Sequence, residues 1–324
     1  MDKIFEMPPA FKSVKDRLLS EFPKEQAGGI NFGRVEGFIQ QEGLEIKPYI
    51  IFDRKDLPRV VEIGGNIALV RLSSFNKGAG GVYIPEMDMA LVVRDREYEK
   101  SSGVIYTEGL LVHELAHASS MYQGHVTADY KGYYTPRGGF CLPQNQVPWG
   151  WFLEEGWADM HRADYFTQNA SEEEKAKLEH ALKNTFKDTP GFGKIRMEDT
   201  VPIKTHSSEI LPLPAKYVWI TPQETPDTSP SSLAGYALKL LCRSNPDMKK
   251  LLIEGRSFVE GLRKLARALE NVMPGLYKKL QTGEYSEKSF SEKLSFVIQV
   301  VGGIRRVVRA QDSLRDFWDK LLQK

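Results

Sequence analysis

Cysteine is scarce in this sequence: Cys141 and Cys242 are the only two among 324 residues. Two cysteines allow one disulfide at most, which excludes the disulfide framework of small secreted domains. The chain also lacks a run of about 18 apolar residues, which a membrane-spanning helix requires. Charged side chains from Asp2 to Arg17 interrupt the opening segment, so it does not have the apolar run of a signal peptide. These absences predict a cytoplasmic protein with no membrane span.

An excess of charge of one sign is also missing. The 44 basic and 43 acidic residues nearly cancel and leave a formal net charge of +1. No global charge therefore favours binding to nucleic acid or to an anionic membrane. Apolar residues make up 41% and charged residues 27% of the chain, which is typical of a globular protein with one large or two medium domains. The oligomeric state stays open.

Residues from about 46 to 93 show the pattern of β-strands. Short apolar runs rich in β-branched and aromatic residues alternate with charged or turn-forming residues. Pro85–Asp88 has the composition of a turn, so the two runs that flank it are expected to form a hairpin. The predicted strands are Tyr49–Phe52, Asn66–Leu72, Gly81–Ile84 and Met89–Val93.

Helical patterns dominate after residue 100. Apolar residues recur at helical spacing in Gly103–Gln123, and Gly150–Asn169 and Ser171–Lys187 are similar in character. Residues 188–230 have no clear period, and helical character resumes from residue 231. The predicted fold class is α+β, because strands precede helices along the chain. We expect a sheet-bearing subdomain of residues 1–125 that ends in the first of these helices, and a mainly helical subdomain of residues 126–324.

One pentapeptide in the first predicted helix carries metal chemistry. His113-Glu114-Leu115-Ala116-His117 has the form H-E-x-x-H. Residues four apart lie on the same helix face about one turn apart, so both imidazoles can reach one ion at the roughly 2.0–2.1 Å of a zinc–nitrogen bond. The two histidines fall opposite the apolar stripe of the helix. Glu114 directly follows the first ligand and is placed to meet a water molecule on the metal.

A catalytic zinc site needs a third protein ligand, and an acidic segment downstream supplies it. Glu155 and Asp159 are four residues apart and share a helix face, whereas Glu154 turns away. We therefore predict that Glu155 is the third ligand. Asp159 is predicted to accept a hydrogen bond from the far ring nitrogen of His113 or His117. A helix face exposed to solvent is the alternative interpretation of this acidic segment.

These residues resemble the gluzincins, zinc peptidases in which an H-E-x-x-H helix is followed by a second helix that bears a glutamate ligand. His113–His117 matches the first motif. The E-G-W-A sequence that begins at Glu155 looks like the E-G-aromatic-A segment of the aminopeptidase-like branch. Glu155 and Asp159 together are similar to the E-x-x-x-D of thermolysin-like enzymes. The resemblance covers about residues 110–165.

The resemblance implies a zincin-like fold with an active-site cleft between a sheet-bearing half and a helical half. It also implies an edge strand that holds the peptide substrate in extended form, and Gly81–Ile84 or Met89–Val93 is the expected edge. Related aminopeptidases bind the free amino terminus through a glutamate in a G-x-M-E-N segment. The corresponding stretch, Gly78–Tyr83, has no acidic residue, which favours cleavage within peptide chains.

The resemblance further implies roles for catalytic residues. Glu114 would take a proton from a zinc-activated water molecule and pass it to the leaving amine. Related enzymes stabilise the oxyanion with a tyrosine or histidine well downstream of the glutamate helix. The candidates are Tyr236, Tyr217 and His206, and we prefer Tyr236 because it lies at the start of a predicted helix.

The predicted function is zinc-dependent hydrolysis of peptide bonds by an endopeptidase that acts on a peptide or protein. A non-catalytic zinc protein that binds a partner is one alternative. The intact Glu114 argues against it, because a structural site needs no general base. A zinc hydrolase of a substrate other than a peptide is another alternative, and the motif permits it.

Overall fold

The residues described by the structure, which is a computed structural model, belong to two compact units. The first unit is drawn from Met1–Tyr134, His161–Glu198 and Ile220–Pro226, and the second from Thr135–Met160, Asp199–Trp219 and Asp227–Lys324. This division into units does not test the subdomain boundary predicted at residue 125, which stays a prediction. The described residues are 9–72, 80–85, 87–119, 122–126, 133–138, 142–144, 147–149, 151–185, 200–204, 210–214, 230–257, 259–272, 274–276, 299–300, 302–304 and 306–313.

Helices form most of the described chain before residue 120. The second of them is capped by Asn31, whose side chain accepts a hydrogen bond from the backbone N–H of Arg34. Gly103, with a φ of 78°, ends the fourth helix and separates it from the helix that carries the H-E-x-x-H motif. The α-helices of this described part are α1 (Pro9–Glu21), α2 (Phe32–Gln41), α3 (Leu57–Leu72), α4 (Arg96–Ser102) and α5 (Ile105–Ala118), and two short 3-10 helices occur at Lys24–Gln26 and Arg54–Asp56.

A three-stranded sheet lies among these helices. Its strands are β1 (Tyr49–Asp53), β2 (Gly81–Ile84) and β3 (Met89–Arg94), in the order β1-β3-β2. β1 runs parallel to β3, and β2 pairs with β3 as the predicted antiparallel hairpin. Every residue of the central strand β3 is buried, which is the pattern of a sheet covered on both faces.

The core of this unit forms where the sheet meets the first and third helices. α5 packs against β2 and β3. The sheet therefore supports the helix that carries the metal motif. One apolar cluster of buried residues contains Ile50 and Phe52 of β1, Leu91 and Val93 of β3, Phe11 and Leu18 of α1, and Val60 and Ile63 of α3.

The prediction of an α+β fold with a strand-rich N-terminal half is wrong. The described part of that half is mainly helical, with one small sheet. Asn66–Leu72 was predicted as a strand but belongs to α3. A short apolar run suits either a strand or a buried helix, so its periodicity does not separate the two. Pro58 lies in the first turn of α3, where a helix accommodates proline.

Two helices follow the metal motif as predicted: α6 (Trp151–Asn169) and α7 (Glu172–Thr185). α7 begins with a capping box. The hydroxyl of Ser171 accepts a hydrogen bond from the backbone N–H of Glu174, and the carboxylate of Glu174 accepts one from the backbone N–H of Ser171. α6 is continuous, although its first ten residues belong to the second unit and its last nine to the first.

Among its described residues, the second unit also contains α8 (Pro230–Ser244), α9 (Met248–Ser257) and α10 (Val259–Val272), and residues 302–304 and 306–313 are helical as well. None of the helices in the described ranges is long and apolar enough to cross a membrane. The remaining strands are short: β4 (Tyr122–Val126), β5 (Tyr133–Gly138), the antiparallel pair β6 (Leu142–Gln144) and β7 (Val147–Trp149), and the antiparallel pair β8 (Thr200–Lys204) and β9 (Ile210–Pro214).

Candidate metal centre

The two histidines of the H-E-x-x-H motif lie side by side on α5. The Nε2 atoms of His113 and His117 are 3.1 Å apart, and the two rings are inclined by 78°. Only 8% of His113 and 9% of His117 is exposed. All residues from Thr107 to Ala118 are buried. The helix is therefore enclosed all round, and the face that carries the two histidines is an interior face.

The spacing of these nitrogens fits one zinc ion. Two nitrogens held at about 2.05 Å in tetrahedral geometry are about 3.3 Å apart, close to the 3.1 Å between the two Nε2 atoms. A carboxylate oxygen of Glu155 completes a group of three ligand atoms that all lie within 4.8 Å of one another. Two imidazoles and one carboxylate form a donor set that catalytic zinc uses, with a fourth position left open.

The choice between the two neighbouring glutamates of α6 follows from their partners. Glu154 is buried and forms an ion pair with Arg256 of α9, at 3.0 Å from its Nη2 atom. The guanidinium of Arg256 also lies over the ring of Trp157, at 5.0 Å from the centroid. Glu155 is partly exposed, and one of its carboxylate oxygens lies within 4.8 Å of a ring nitrogen of each histidine. The structure thus brings together His113, His117 and Glu155, the three ligands predicted from the sequence.

Asp159, the predicted partner of a histidine ligand, lies one helical turn after Glu155 and is fully buried. Its neighbour is Gly235 of α8, where an added Cβ would lie 2.9 Å from the Cβ of Asp159. A fully buried carboxylate requires polar partners, and the ring N–H of a histidine ligand would be such a partner. The hydrogen bond from the ring N–H of a histidine ligand to Asp159 stays a prediction.

Glu114 lies between the two ligands in sequence and is 6% exposed. Its carboxylate approaches the backbone of Gly81, the first residue of β2. A Cβ added to Gly81 would lie 2.6 Å from Oε1 and 2.9 Å from Cδ of Glu114. A glycine is therefore required at this point of the strand if Glu114 keeps its position. The contact places the proposed general base beside the edge strand of the sheet.

Close approach of two helices places Tyr236 near the acidic segment of α6. A Cβ on Gly156 would lie 2.9 Å from the backbone carbon of Ala234, and one on Gly235 would lie 3.0 Å from the backbone nitrogen of Met160. Tyr236 follows directly on α8 and is partly exposed. Its role at the oxyanion stays a prediction. The other two candidates, Tyr217 and His206, lie outside the described residues.

Two residues that shape the site carry no signal for this role in the sequence. Gly81 was predicted only as the first residue of a strand, and its contact with Glu114, which is far away in the sequence, carries no local signal. Arg256 is 102 residues from its partner Glu154, and a single arginine on a polar-patterned helix looks like a surface residue. The two adjacent glutamates, Glu154 and Glu155, were the available hint, because a buried carboxylate that binds no metal requires a cation.

Comparisons with known proteins give no match. No family model fits the chain, and neither a curated protein nor a solved structure shows significant similarity to it. The resemblance to gluzincins therefore rests on the motif residues alone. The positions of His113, His117 and Glu155 are the finding that bears on function.

Proposed function

We propose that this chain is a zinc-dependent peptidase in which His113, His117 and Glu155 hold the metal and Glu114 is the general base. The convergence of three ligand atoms within 4.8 Å carries the proposal. Glu114 stays outside this group although it lies between two of the ligands in sequence. Structural zinc sites fill all four positions with protein ligands, whereas three ligands with a further carboxylate beside them in the sequence suit catalysis.

The residues divide the chemical work as follows. Zinc, when bound, polarises a carbonyl group and lowers the pKa of water toward about 7. The carboxylate of Glu114 accepts the proton that water loses on attacking the scissile carbonyl, and then donates it to the leaving amine. Burial of Glu114 excludes competing water from this carboxylate and strengthens its electrostatic interactions. Tyr236 is proposed to donate a hydrogen bond to the oxyanion, and Asp159 to orient a histidine ligand.

A peptide substrate is favoured by the position of Glu114 at a sheet edge. β2 is an edge strand of the described three-stranded sheet. An extended peptide can add to such an edge through main-chain hydrogen bonds, and Gly81 would bring it past the carboxylate of Glu114. β2 contains no acidic residue to bind a free amino terminus, which favours cleavage within chains. We place this activity in the cytoplasm because the sequence is so poor in cysteine.

A peptide-library digestion tests the proposal. Wild-type protein is expected to carry about one zinc per chain and to cleave internal bonds. Glu114→Gln should retain the zinc and lose roughly 10²–10⁴-fold in kcat, the contribution of a general base. Glu97→Gln makes the same chemical change on α4 at a side chain that is 81% exposed, and it should leave activity unchanged.

Metal content tests the ligand set separately. His117→Ala should lose zinc, whereas His180→Ala, at an exposed histidine of α7, should retain it. Normal turnover by Glu114→Gln would contradict the mechanism. A zinc-loaded wild type that cleaves no peptide in the library would contradict the peptidase and favour a different substrate class. Absence of bound zinc would contradict the site itself.

A further inference from the structure

A buried polar network joins α5 to α6 away from the metal ligands. Glu108 of α5, which is 1% exposed, accepts a hydrogen bond of 2.5 Å from the hydroxyl of Tyr165 on α6. Tyr165 is fully buried. Glu108 precedes His117 by nine residues, which at about 100° per residue places it roughly on the opposite side of α5. The network therefore lies behind the helix face that presents the histidines.

Arg34 of α2 completes what we call the Glu108 network, which consists of Glu108, Tyr165, Arg34 and Glu174. The guanidinium donates to Glu108 at 2.5 and 3.1 Å and to Glu174 of α7 at 2.8 and 2.9 Å. The backbone N–H of Asn31 adds a further hydrogen bond to Glu108. The buried carboxylate of Glu108 thus has a cation and two neutral donors, which meets the requirement for burying a charge.

A steric fit lies directly beside the network. Gly109 follows Glu108 on α5, and a Cβ added there would lie 2.3 Å from Cζ of Phe166 and 3.3 Å from Cγ of Arg162. The ring of Phe166 therefore occupies the space that any other residue at position 109 would need. Since Phe166 follows Tyr165 on α6, a hydrogen bond and an interlocking contact occur at adjacent positions on both helices. Together they restrict sliding and rotation of one helix against the other.

The hydroxyl of Tyr165 keeps its proton throughout the working pH range. Burial, together with the adjacent carboxylate of Glu108, raises the pKa of Tyr165 far above its usual value. The phenol therefore stays a hydrogen-bond donor to Glu108 and never becomes a second buried anion. A donor that does not titrate holds the same geometry at every pH at which the enzyme would act.

Small changes at this network are amplified along α6. Ten residues separate Glu155 from Tyr165 on the continuous helix, a distance of about 15 Å along its axis. A tilt of about 5° at Tyr165 would therefore displace Glu155 by about 1 Å. Zinc–ligand distances in a functional site vary by only about 0.2 Å. A tilt too small to unfold the protein would be enough to spoil the metal site.

We propose that Tyr165 and Glu108 are positioning residues of the metal centre, whose hydrogen bond sets the orientation of the glutamate-bearing helix against the histidine-bearing helix. This inference rests on the proposed zinc site and adds to it a pair of residues that do not touch the metal. The network's task is geometric, and it goes beyond the general stability that any buried hydrogen bond contributes.

Tyr165→Phe tests the inference, and Tyr49→Phe is its matched control. Tyr49 is also buried and also donates its hydroxyl to a carboxylate, that of Glu36 at 2.8 Å, but it lies on β1. Each variant loses one hydroxyl and one hydrogen bond. We expect similar falls in melting temperature, whereas the zinc dissociation constant, measured against a chelator, should rise about tenfold only in Tyr165→Phe. The visible spectrum of the Co²⁺-substituted protein should change in Tyr165→Phe alone.

The outcomes separate this inference from the proposed function. Equal zinc affinities and equal Co²⁺ spectra in the two variants would overturn the positioning role and leave the peptidase proposal intact. A wild type that binds no zinc would overturn the proposed function itself. If Tyr165→Phe does not fold, Glu108→Gln gives the same test, because an amide keeps the side-chain shape but accepts the phenol more weakly. It should raise the zinc dissociation constant about threefold or more, and an unchanged constant would overturn the inference.

Discussion

The carboxylate of Glu114 lies against the backbone of Gly81, so closely that a single methyl group on the strand would fall 2.6 Å from Oε1. Real side chains do not approach a carboxylate oxygen so closely, and one of the two residues would have to move. The backbone of Gly81 is held by the antiparallel pairing of β2 with β3. The side chain of Glu114 is therefore the part that would yield.

Gly81→Ala is expected to impair catalysis without removing the metal. Displacing the general base by about 1 Å costs roughly 100-fold in kcat, while His113 and His117 stay in place and zinc content is unchanged. Gly37→Ala is the control, because an added Cβ in α2 meets nothing within 4 Å. Steady-state kinetics and metal analysis of both variants provide the measurement. A Gly81→Ala enzyme with wild-type kcat would show that Glu114 does not depend on this contact.

Removal of Arg256 should destabilise the protein strongly. Glu154 and Arg256 have side chains only 7% and 3% exposed, so Arg256→Met leaves a buried carboxylate without its cation. Breaking one side of a buried ion pair costs about 3–5 kcal/mol of unfolding free energy. The double variant Glu154→Gln/Arg256→Met should recover much of this loss, because no charge stays buried. Urea denaturation of the single and double variants measures the difference, and simple additivity would contradict the coupling.

Removal of the metal should lower the melting temperature. Zinc that binds only the folded state contributes about 4 kcal/mol when free zinc exceeds the dissociation constant 1,000-fold, which corresponds to about 6 °C in a chain of 324 residues. Chelation should therefore shift the thermal transition of the wild type. It should have no effect on His117→Ala, which lacks a ligand. An identical chelator effect on both proteins would indicate that the stabilising ion binds elsewhere.

Acid should weaken the first unit through Glu174. Burial raises the pKa of this carboxyl group, but hydrogen bonds from Arg34 and from the backbone of Ser171 outweigh it and hold the pKa below the ordinary value of 4.5. Since the folded-state pKa is the lower one, the stabilisation is complete above about pH 4.5 and is lost as the pH falls through the folded-state pKa. Unfolding free energies between pH 6 and about 3 should therefore decline less steeply in Glu174→Gln than in wild type.

An exposed glutamate at the start of the same helix is the control for this titration. The side chain of Glu172 is 91% exposed, so Glu172→Gln should leave the acid-dependent loss of stability almost unchanged. A wild-type profile that is as shallow as that of Glu174→Gln would contradict the contribution of Glu174.

Local chemical signals explain which elements could be predicted. Ser171 and Glu174 form a capping box, which is recognisable from four consecutive residues of sequence, and α7 begins there. The runs that became β1, β2 and β3 combine β-branched residues with turn-forming neighbours. α3 was missed because its apolar residues suit both a strand and a buried helix. The helix predicted to end at Gln123 ends at Ala118, because the apolar pattern continues into β4 without a break.

Contacts between distant residues explain what could not be predicted. The metal ligands were accessible because each motif is local and zinc chemistry requires three donors. Glu108 and Tyr165 are 57 residues apart, and neither segment has a sequence pattern that identifies the other as its partner. A carboxylate accepts hydrogen bonds from many donors alike, so only the fold decides which donor reaches it. The same holds for Gly81, whose importance comes from the helix behind it.

Glu174 has two roles that link distant helix termini. Its carboxylate accepts a hydrogen bond from the backbone N–H of Ser171 at the start of α7 and also pairs with Arg34. Arg34 pairs with Glu108 as well, and Glu108 accepts a hydrogen bond from the backbone N–H of Asn31 at the start of α2. The backbone amides at the starts of α2 and α7 are thus each connected, through a carboxylate, to the guanidinium of Arg34. The amide hydrogens of Asn31 and Ser171 should consequently exchange with deuterium together and slowly, as one cooperative unit, rather than as two separately fraying ends.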